Sequence, residues 1–528
     1  MKKILSLLCV AAVSVFWAGA TVLPELDPFS CTSIMVGKKA STDGAVITSH
    51  TCDGNYRSWV GIVPSITYKN DTTVNVFKNR LHTESVKGSY RMTLKGAIFQ
   101  PAGTTFRFVD TAYPCLNEKQ LAMGETTITG RRDLVNPDGM FMIEELQKIA
   151  LQRCSTARDA IRLMGELIEE YGYGDWGECL TIADKNEVWH FEVFGEGKDN
   201  IGGVWAAVRI PDDHVGVSAN IPRISTLDLK DKDNYMASDN VFEVAKKLGY
   251  WDGKETFRFW KAYGGGRKAF SVREFYILDK LAPSLNLVYD SEEIPFSVKP
   301  EHLVSTEEVM SLLTETYEGS EYDVTRNLKI AVKDRQTGAV DSVISPAANP
   351  WMGRDTRNLL NALKPGAVTG YRLVAVPQCA YSTVIELHSE LPDAVGGVLW
   401  ISFDNPGQSP RIPIFCGTTS LPECFSLCGQ YGYDENSVIW KFRPANKLAT
   451  VRWGATKDMI FDAVDHFKAK GAREEAFVRE QYSRILAEEG EEAALGYLTG
   501  YTADFAGAAI LAWEDLALQF WAMFARGF

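Results

Sequence analysis

CTSIMVGKKASTDGAVITSHTCDGNYR, residues 31–57, is the stretch from which the fold can be read. Ile34, Met35 and Val36 form one short β-rich run, Ala45 to Ser49 form another, and Ser41-Thr42-Asp43-Gly44 joins them. Two such runs around an Asp-Gly turn predict a β-hairpin. Cys31 stands at the head of the first strand, and what precedes it reads as removable.

Residues 1–20 have the order of a secretory signal. Lys2 and Lys3 are the basic start, Ile4 to Trp17 the apolar stretch, and Ala18-Gly19-Ala20 the small-residue cleavage site. The run is too short for a stable membrane span. Cleavage after Ala20 leaves TVLPELDPFS (21–30), which has two prolines and no periodicity. It reads either as an ordinary N-terminal tail or as a propeptide whose removal frees the α-amino group of Cys31. The leader predicts a secreted or periplasmic protein.

A formal net charge of −13 argues against binding nucleic acid or anionic membranes through a broad basic patch. Of ten cysteines, Cys9 lies in the leader. An odd number then remains, so an exported chain keeps at least one thiol unpaired. Cys424 and Cys428 are spaced for pairing or metal binding, but no matching Cys/His pair lies nearby, which argues against zinc. The other cysteines sit mostly among apolar residues, where a buried thiol is the default. Cys31 is the candidate functional thiol.

Along the chain, 59–68 and 104–111 read as extended and 119–128 as a strand followed by a polar turn. A helix is predicted over 139–154. A second starts at Ser155-Thr156, is capped with Asp159 three residues after Thr156, and runs to Tyr171-Gly172. ECLTIAD, EVWHFEVFG, GVWAAVRI and HVGVSAN, between 178 and 220, read as strands separated by polar turns. Residues 225–310 read as mixed and mostly helical, with a flexible loop at Gly264-Gly265-Gly266. YRLVAVP, YSTVIEL, GGVLWISF and RIPIFCG form a second β-rich block from about 370 to 416. The tail from about 456 to 525 reads as helical. Glu514 and Asp515 interrupt its apolar 506–524 run, which favours packed helix over a membrane span. Two β-rich blocks with helices between and after them suit a layered α+β domain.

The chemistry needs a base for the thiol. The histidines form no recognisable catalytic set, and His190, between Trp189 and Phe191 in a predicted strand, reads as structural. A serine-hydrolase elbow, a zinc-protease helix motif, a phosphate loop and a dinucleotide fingerprint are all missing from the sequence. A nucleophile at a mature N-terminus needs none of these, because its own α-amino group serves as base. That amine titrates at roughly 7.7–8.0 and is partly neutral near pH 7. A peptide nitrogen, its lone pair delocalised, cannot do this.

Cys31-Thr32-Ser33, Val36 to Ser41 and Asp43-Gly44 resemble the mature start of the dipeptidase A family of cysteine peptidases, which are N-terminal-nucleophile hydrolases related to bile-salt hydrolases and penicillin V acylases. The resemblance continues through Leu151 to Ala160, Tyr171-Gly172, Ala183-Asp184, Glu187 to Trp189, Glu192, Trp205 to Ala207, Arg209 and Pro211 to Asp213. It reappears at Leu387 to Pro392, Gly396 to Trp400 and Asn405-Pro406, and is weaker in the helical tail. It implies a four-layer αββα sandwich with additional helices, carried by residues 31–440, and a helical extension over 441–528 packed on it. It implies Cys31 as nucleophile, Asp53 near its amine, Asn220 in the oxyanion hole, and Arg273 as the downstream active-site arginine. His50 stands three residues before Asp53, where relatives often carry Arg, and is the candidate for binding a substrate carboxylate. Glu125-Thr126-Thr127 resembles the loop lending a backbone N–H to the oxyanion, with Thr127 as the candidate. No metal or cofactor is implied. Asp53 before Gly54, and Asn220 before Ile-Pro, also suit plain turn roles.

The expectation is an exported enzyme that cleaves small peptides, most simply dipeptides, through a thioester on Cys31. An N-acyl amide substrate, such as a bile-salt conjugate or a β-lactam side chain, uses the same mechanism. A cell-surface binding protein that kept the fold and lost activity is a third reading. The partner expected is a small peptide, and homo-oligomers are compatible with the sequence.

Overall fold

The computed structural model describes residues 31–81 and 92–527. The signal expected over 1–20 and the segment 21–30 lie outside the described residues.

The opening hairpin forms as its pattern requires, from strands Ser33–Val36 and Val46–Asp53 with Met35 opposite Thr48. It sits in the middle of a seven-stranded antiparallel sheet. The order across that sheet is Ser297–Val298, Val215–Ser218, Ser33–Val36, Val46–Asp53, Cys379–Leu387, Gly397–Phe403 and Ile412–Phe415. The two β-rich blocks of the sequence thus meet between Val46–Asp53 and Cys379–Leu387. An eight-stranded antiparallel sheet runs from Tyr235–Ala237 through Gly203–Ile210, Val188–Gly195, Glu178–Ala183, Ala122–Thr127, Leu116–Asn117 and Phe108–Asp110 to Gly61–Val63.

The sheets stack face to face. The Thr48 and Thr181 hydroxyls meet at 2.5 Å across the gap, and Ser33 Oγ donates to the Glu125 carbonyl over 3.2 Å. The approach is closest at Gly124, where an added Cβ would stand 2.3 Å from the Ser49 carbonyl oxygen. Only a residue without a side chain fits there.

Alternation along each strand then separates two faces. In the first strand Ile34 and Val36 face away from the partner sheet and pack with Phe275, Leu278, Val309 and Leu312 of helices Val272–Leu281 and Thr306–Leu312. Against the outer face of the eight-stranded sheet lie helices Ile143–Arg153 and Ala157–Tyr171, whose Gly165 lets the Trp205 ring approach. Thr156 caps the second of these by accepting from the Asp159 backbone N–H, as its spacing predicts. Helix, sheet, sheet, helix is the αββα order expected.

Helices Val438–Val451, Trp453–Glu489 and Glu491–Met523 complete the chain. The first begins earlier than the sequence suggests and runs through the 440/441 boundary placed there. Its Arg443 and Asn446 bond to the buried Asp404 carboxylate at 2.8 and 3.0 Å, which ties the tail to the sandwich. No described helix is long and apolar enough to cross a membrane.

Four segments differ from expectation. Residues 371–377 form no strand. Cys379–Leu387 is already paired on both sides, and Ala375 turns its N–H to the Glu315 carbonyl and its carbonyl to the Trp351 indole. The hairpins Thr72–Lys78/Thr93–Gln100 and Lys329–Lys333/Val340–Ile344 are additional to the predicted elements; the second is exposed on every residue and shows no buried face to read. The 225–310 region holds short strands as well as helices. Its glycine loop leaves a short helical turn, Trp260–Gly264, with Gly265 at φ +67° and Gly265 and Gly266 exposed. All nine described cysteines are free thiols.

Candidate active site

Cys31 and Ser33 face the gap between the sheets, and Cys31 has no exposed surface. Its backbone nitrogen donates to Asn220 Oδ1 over 2.8 Å. Asn220 follows strand Val215–Ser218, which pairs with the nucleophile's own strand, and takes φ +63°. Asn is among the few residues that adopt this left-handed conformation readily. The turn aims its side chain back at the sheet, where Nδ2 donates to the Thr127 carbonyl over 2.7 Å. One amide therefore bridges the Cys31 nitrogen in one sheet and Thr127 in the other.

Arg273 comes from the first turn of helix Val272–Leu281, which a Ser271/Glu274 capping box fixes. It is 4 % exposed. Nη1 donates to the Cys31 carbonyl at 2.6 Å and to Thr32 Oγ1 at 3.1 Å, and Nη2 to the Ala219 carbonyl and Asn220 Oδ1, both at 2.9 Å. Burial pushes its guanidinium below the usual range, with Arg372 adding to the shift.

Asp53 lies on the opposite face of its strand from His50 and Cys52, as alternation requires. Its Oδ2 accepts from Thr51 Oγ1 at 2.9 Å and Arg372 Nη2 at 3.0 Å, and Oδ1 is buried without a hydrogen bond. Burial raises its carboxyl above the ordinary range, against the pull of Arg372 and of hydrogen bonds from Cys379 and Thr51.

His50 points the other way, into the gap. Nδ1 lies 2.6 Å from the Glu125 carbonyl, and Nε2 is buried without a hydrogen bond. Burial pushes the imidazole down to about 4, so it is neutral near pH 7 and presents no cation to a substrate carboxylate. Thr127 Oγ1 donates to Glu125 Oε1 over 2.8 Å.

Two further groups at the site carry no signal in the sequence. Arg372 sits in the stretch read as a strand, with no local motif to mark it. The Glu125 carboxyl is the other. Register places Glu125 opposite Leu180 and Thr127 opposite Glu178, so both glutamates share one face of the eight-stranded sheet. Burial pushes Glu125 up to about 7, and burial and Glu125 together push Glu178 well above the carboxylate range. Ligand atoms of Cys31, His50 and Glu125 all lie within 4.8 Å of one another. Such a group can hold a divalent cation, as can Asp43, Glu386 and His388 at the outer end of the opening hairpin. Burial raises the Cys31 thiol well above its ordinary value, with Glu125, Cys52 and Asp53 adding to the rise, while the Asp53 backbone pulls the other way. A thiol in this setting needs a base to become a nucleophile.

The family model for "Peptidase family C69" matches residues 30–466. A probable dipeptidase of Latilactobacillus sakei is 24% identical over 456 residues, covering 83% of this chain and 85% of that protein. Dipeptidase A of Lactobacillus helveticus is 21% identical over 457 residues, covering 83% and 85%. Among solved structures, penicillin V acylase from Agrobacterium tumefaciens aligns over 73% of this chain and 86% of its own, at 10% identity and a TM-score of 0.27. With its thiol at the head of a central strand and the family match across most of its length, the chain belongs to peptidase family C69 and is a cysteine-type peptidase.

Proposed function

We propose that this protein is an exported dipeptidase whose mature N-terminus is Cys31. The observation that carries the reading is the fixed Cys31 nitrogen, held 2.8 Å from Asn220 Oδ1, with Arg273 gripping the carbonyl of the same residue. Cleavage of Ser30–Cys31 converts that nitrogen from an amide into an amine already beside the thiol of its own residue. The amine takes the thiol proton, and the sulfur attacks the substrate carbonyl. The C–N bond breaks as the amine of the second amino acid leaves with a proton from the Cys31 ammonium. Water, deprotonated by the same amine, hydrolyses the thioester and regenerates the thiol.

Side-chain roles follow from contacts. Asn220 orients the amine through Oδ1, and its Nδ2 is a donor for the oxyanion once released from Thr127. Arg273 holds Cys31 and Asn220 in one frame. Asp53 lies near enough for its charge to act on Cys31, and Arg372 favours its charged form against the burial that raises its carboxyl. The Glu125/Glu178 pair favours a peptide over an N-acyl amide. A dipeptide brings an α-ammonium whose charge would draw the proton off Glu125, pushed up to about 7 beside the thiol, and pair with the resulting carboxylate; a bile-salt conjugate brings no such cation.

A panel of dipeptides, their N-acetylated forms and conjugated bile salts tests the substrate class. Turnover of free dipeptides, with sharp loss on N-acetylation, is expected. Turnover of bile-salt conjugates or N-acetylated peptides alone contradicts it.

A further inference from the structure

A second cavity lies on the opposite face of the seven-stranded sheet from the thiol. It measures about 190 Å³ and sits between that sheet and helices Thr306–Leu312 and Trp453–Glu489. An apolar protein cavity of roughly 150 Å³ is enough to admit benzene. Met310, Trp400, Phe461 and Val464 supply the apolar wall. The Trp400 indole is fixed by donating to Glu386 Oε1 over 3.0 Å.

One wall carries a charge. Arg411, 8 % exposed, lines the cavity just before strand Ile412–Phe415. Nη1 donates to the Ser382 and Trp400 carbonyls at 3.2 and 3.3 Å, and Nη2 to Ser382 Oγ at 3.0 Å. These three bonds leave donors of the five-donor guanidinium uncommitted. No carboxylate pairs with Arg411 among the described residues. The buried Arg57, Arg80 and the partly covered Arg443 each pair with an aspartate. The buried Arg223 and Arg273, which have no ion pair among the described residues, still lie within the influence of Glu274 and, respectively, Glu192 and Asp53; no carboxylate among those residues acts on Arg411 in this way. Asp465 also lines the cavity, but its carboxylate is taken by Lys468 at 2.7 Å. Burial pushes the Arg411 guanidinium down, to about 9, which leaves it charged at neutral pH. A buried charge without a partner costs several kcal/mol, and an anion entering the cavity would remove that cost.

We propose that this cavity binds a small carboxylate with a short apolar chain, its carboxylate on Arg411 and its chain against Trp400, Met310, Phe461 and Val464. Short fatty acids and free apolar amino acids share that chemistry. The proposal does not depend on the reaction at Cys31.

Isothermal titration of the full-length protein with 4-methylpentanoate, 4-methylpentanamide and leucine tests it, using wild type, Arg411→Met and Val464→Trp. The acid is expected to bind and the amide to bind roughly tenfold more weakly or worse. Both substitutions should abolish binding of the acid, one by removing the charge and the other by filling the space. Leucine binding lost in the same two variants identifies an amino acid as the source, and binding of the acid alone identifies a fatty acid. Equal affinity for acid and amide overturns the proposal, as does binding that survives Val464→Trp, or no binding of any probe at millimolar concentration. If Arg411→Met fails to fold, Val464→Trp still decides, because it keeps the guanidinium.

Discussion

Arg372 Nη2 donates to Asp53 Oδ2 over 3.0 Å at a place where Asp53 has no exposed surface. The two residues lie 319 positions apart in the chain. Removing the guanidinium strands a buried carboxylate, and breaking a buried pair from one side costs about 3–5 kcal/mol. Arg372→Met is therefore expected to lower unfolding stability by that order in urea titrations and to reduce kcat. Adding Asp53→Asn should restore part of the stability and none of the activity. A stability change within about 0.5 kcal/mol for Arg372→Met alone contradicts this pairing.

Asn220 offers a clean test of the bridge between the sheets. Its φ of +63° suits glycine without strain, so Asn220→Gly removes the amide and keeps the turn. Loss of one oxyanion-type donor lowers kcat by about 10²–10³. We expect a loss of at least that size, with a Tm shift of only a few degrees by calorimetry. Near-normal kcat would remove Asn220 from the reaction.

Glu125 sets a pH dependence. Its folded carboxyl titrates at about 7 and its unfolded one near 4.5, so the folded state holds more protons in between. The stability tied to that proton is complete below about 4.5 and is lost as pH rises through about 7. Glu125→Gln should flatten the Tm-versus-pH curve across that window and raise Tm at pH 8 relative to wild type. A parallel curve, displaced but equally steep, would assign the slope to other groups. Burial also pushes Glu144 up to about 7, which makes the mutant comparison necessary.

Gly124 tests the packing that creates the site. A Cβ there meets the Ser49 carbonyl oxygen at 2.3 Å and Thr181 Oγ1 at 2.7 Å, and the first of these is backbone that cannot swing aside. Gly124→Ala should cost about 1–3 kcal/mol through overpacking and lower kcat by separating Glu125 from Cys31. Unchanged stability in urea would mean the sheets are not in contact at this point.

The hairpin at 31–57, the capped helix ending at Tyr171 and the central strands were legible because each carries its own period and turn chemistry. Cys31, Asn220 and Arg273 were legible through the resemblance, and they meet in one hydrogen-bonded set. Arg372 was not, because a guanidinium reaching Asp53 from an unpaired loop leaves no periodic signal. Its apolar neighbours Leu373 to Val376 are buried as in a strand but bond elsewhere. The Glu125/Glu178 pair was hidden for a related reason. Each glutamate opens or interrupts an otherwise ordinary strand, and only register shows that they share a face. His50 was visible as a departure, while its neutrality follows from burial that only the stacked sheets impose.

The proposed mechanism requires a free amine on Cys31, and the N-terminus of the active protein tests it most directly. Intact-mass measurement and N-terminal sequencing of purified, active enzyme should find a chain beginning at Cys31. Cys31→Ala made in parallel should be inactive, and retention of 21–30 in that variant alone would identify the thiol as the agent of its own processing. Full activity in a protein that begins at Thr21, with Cys31 still in peptide linkage, would contradict the mechanism.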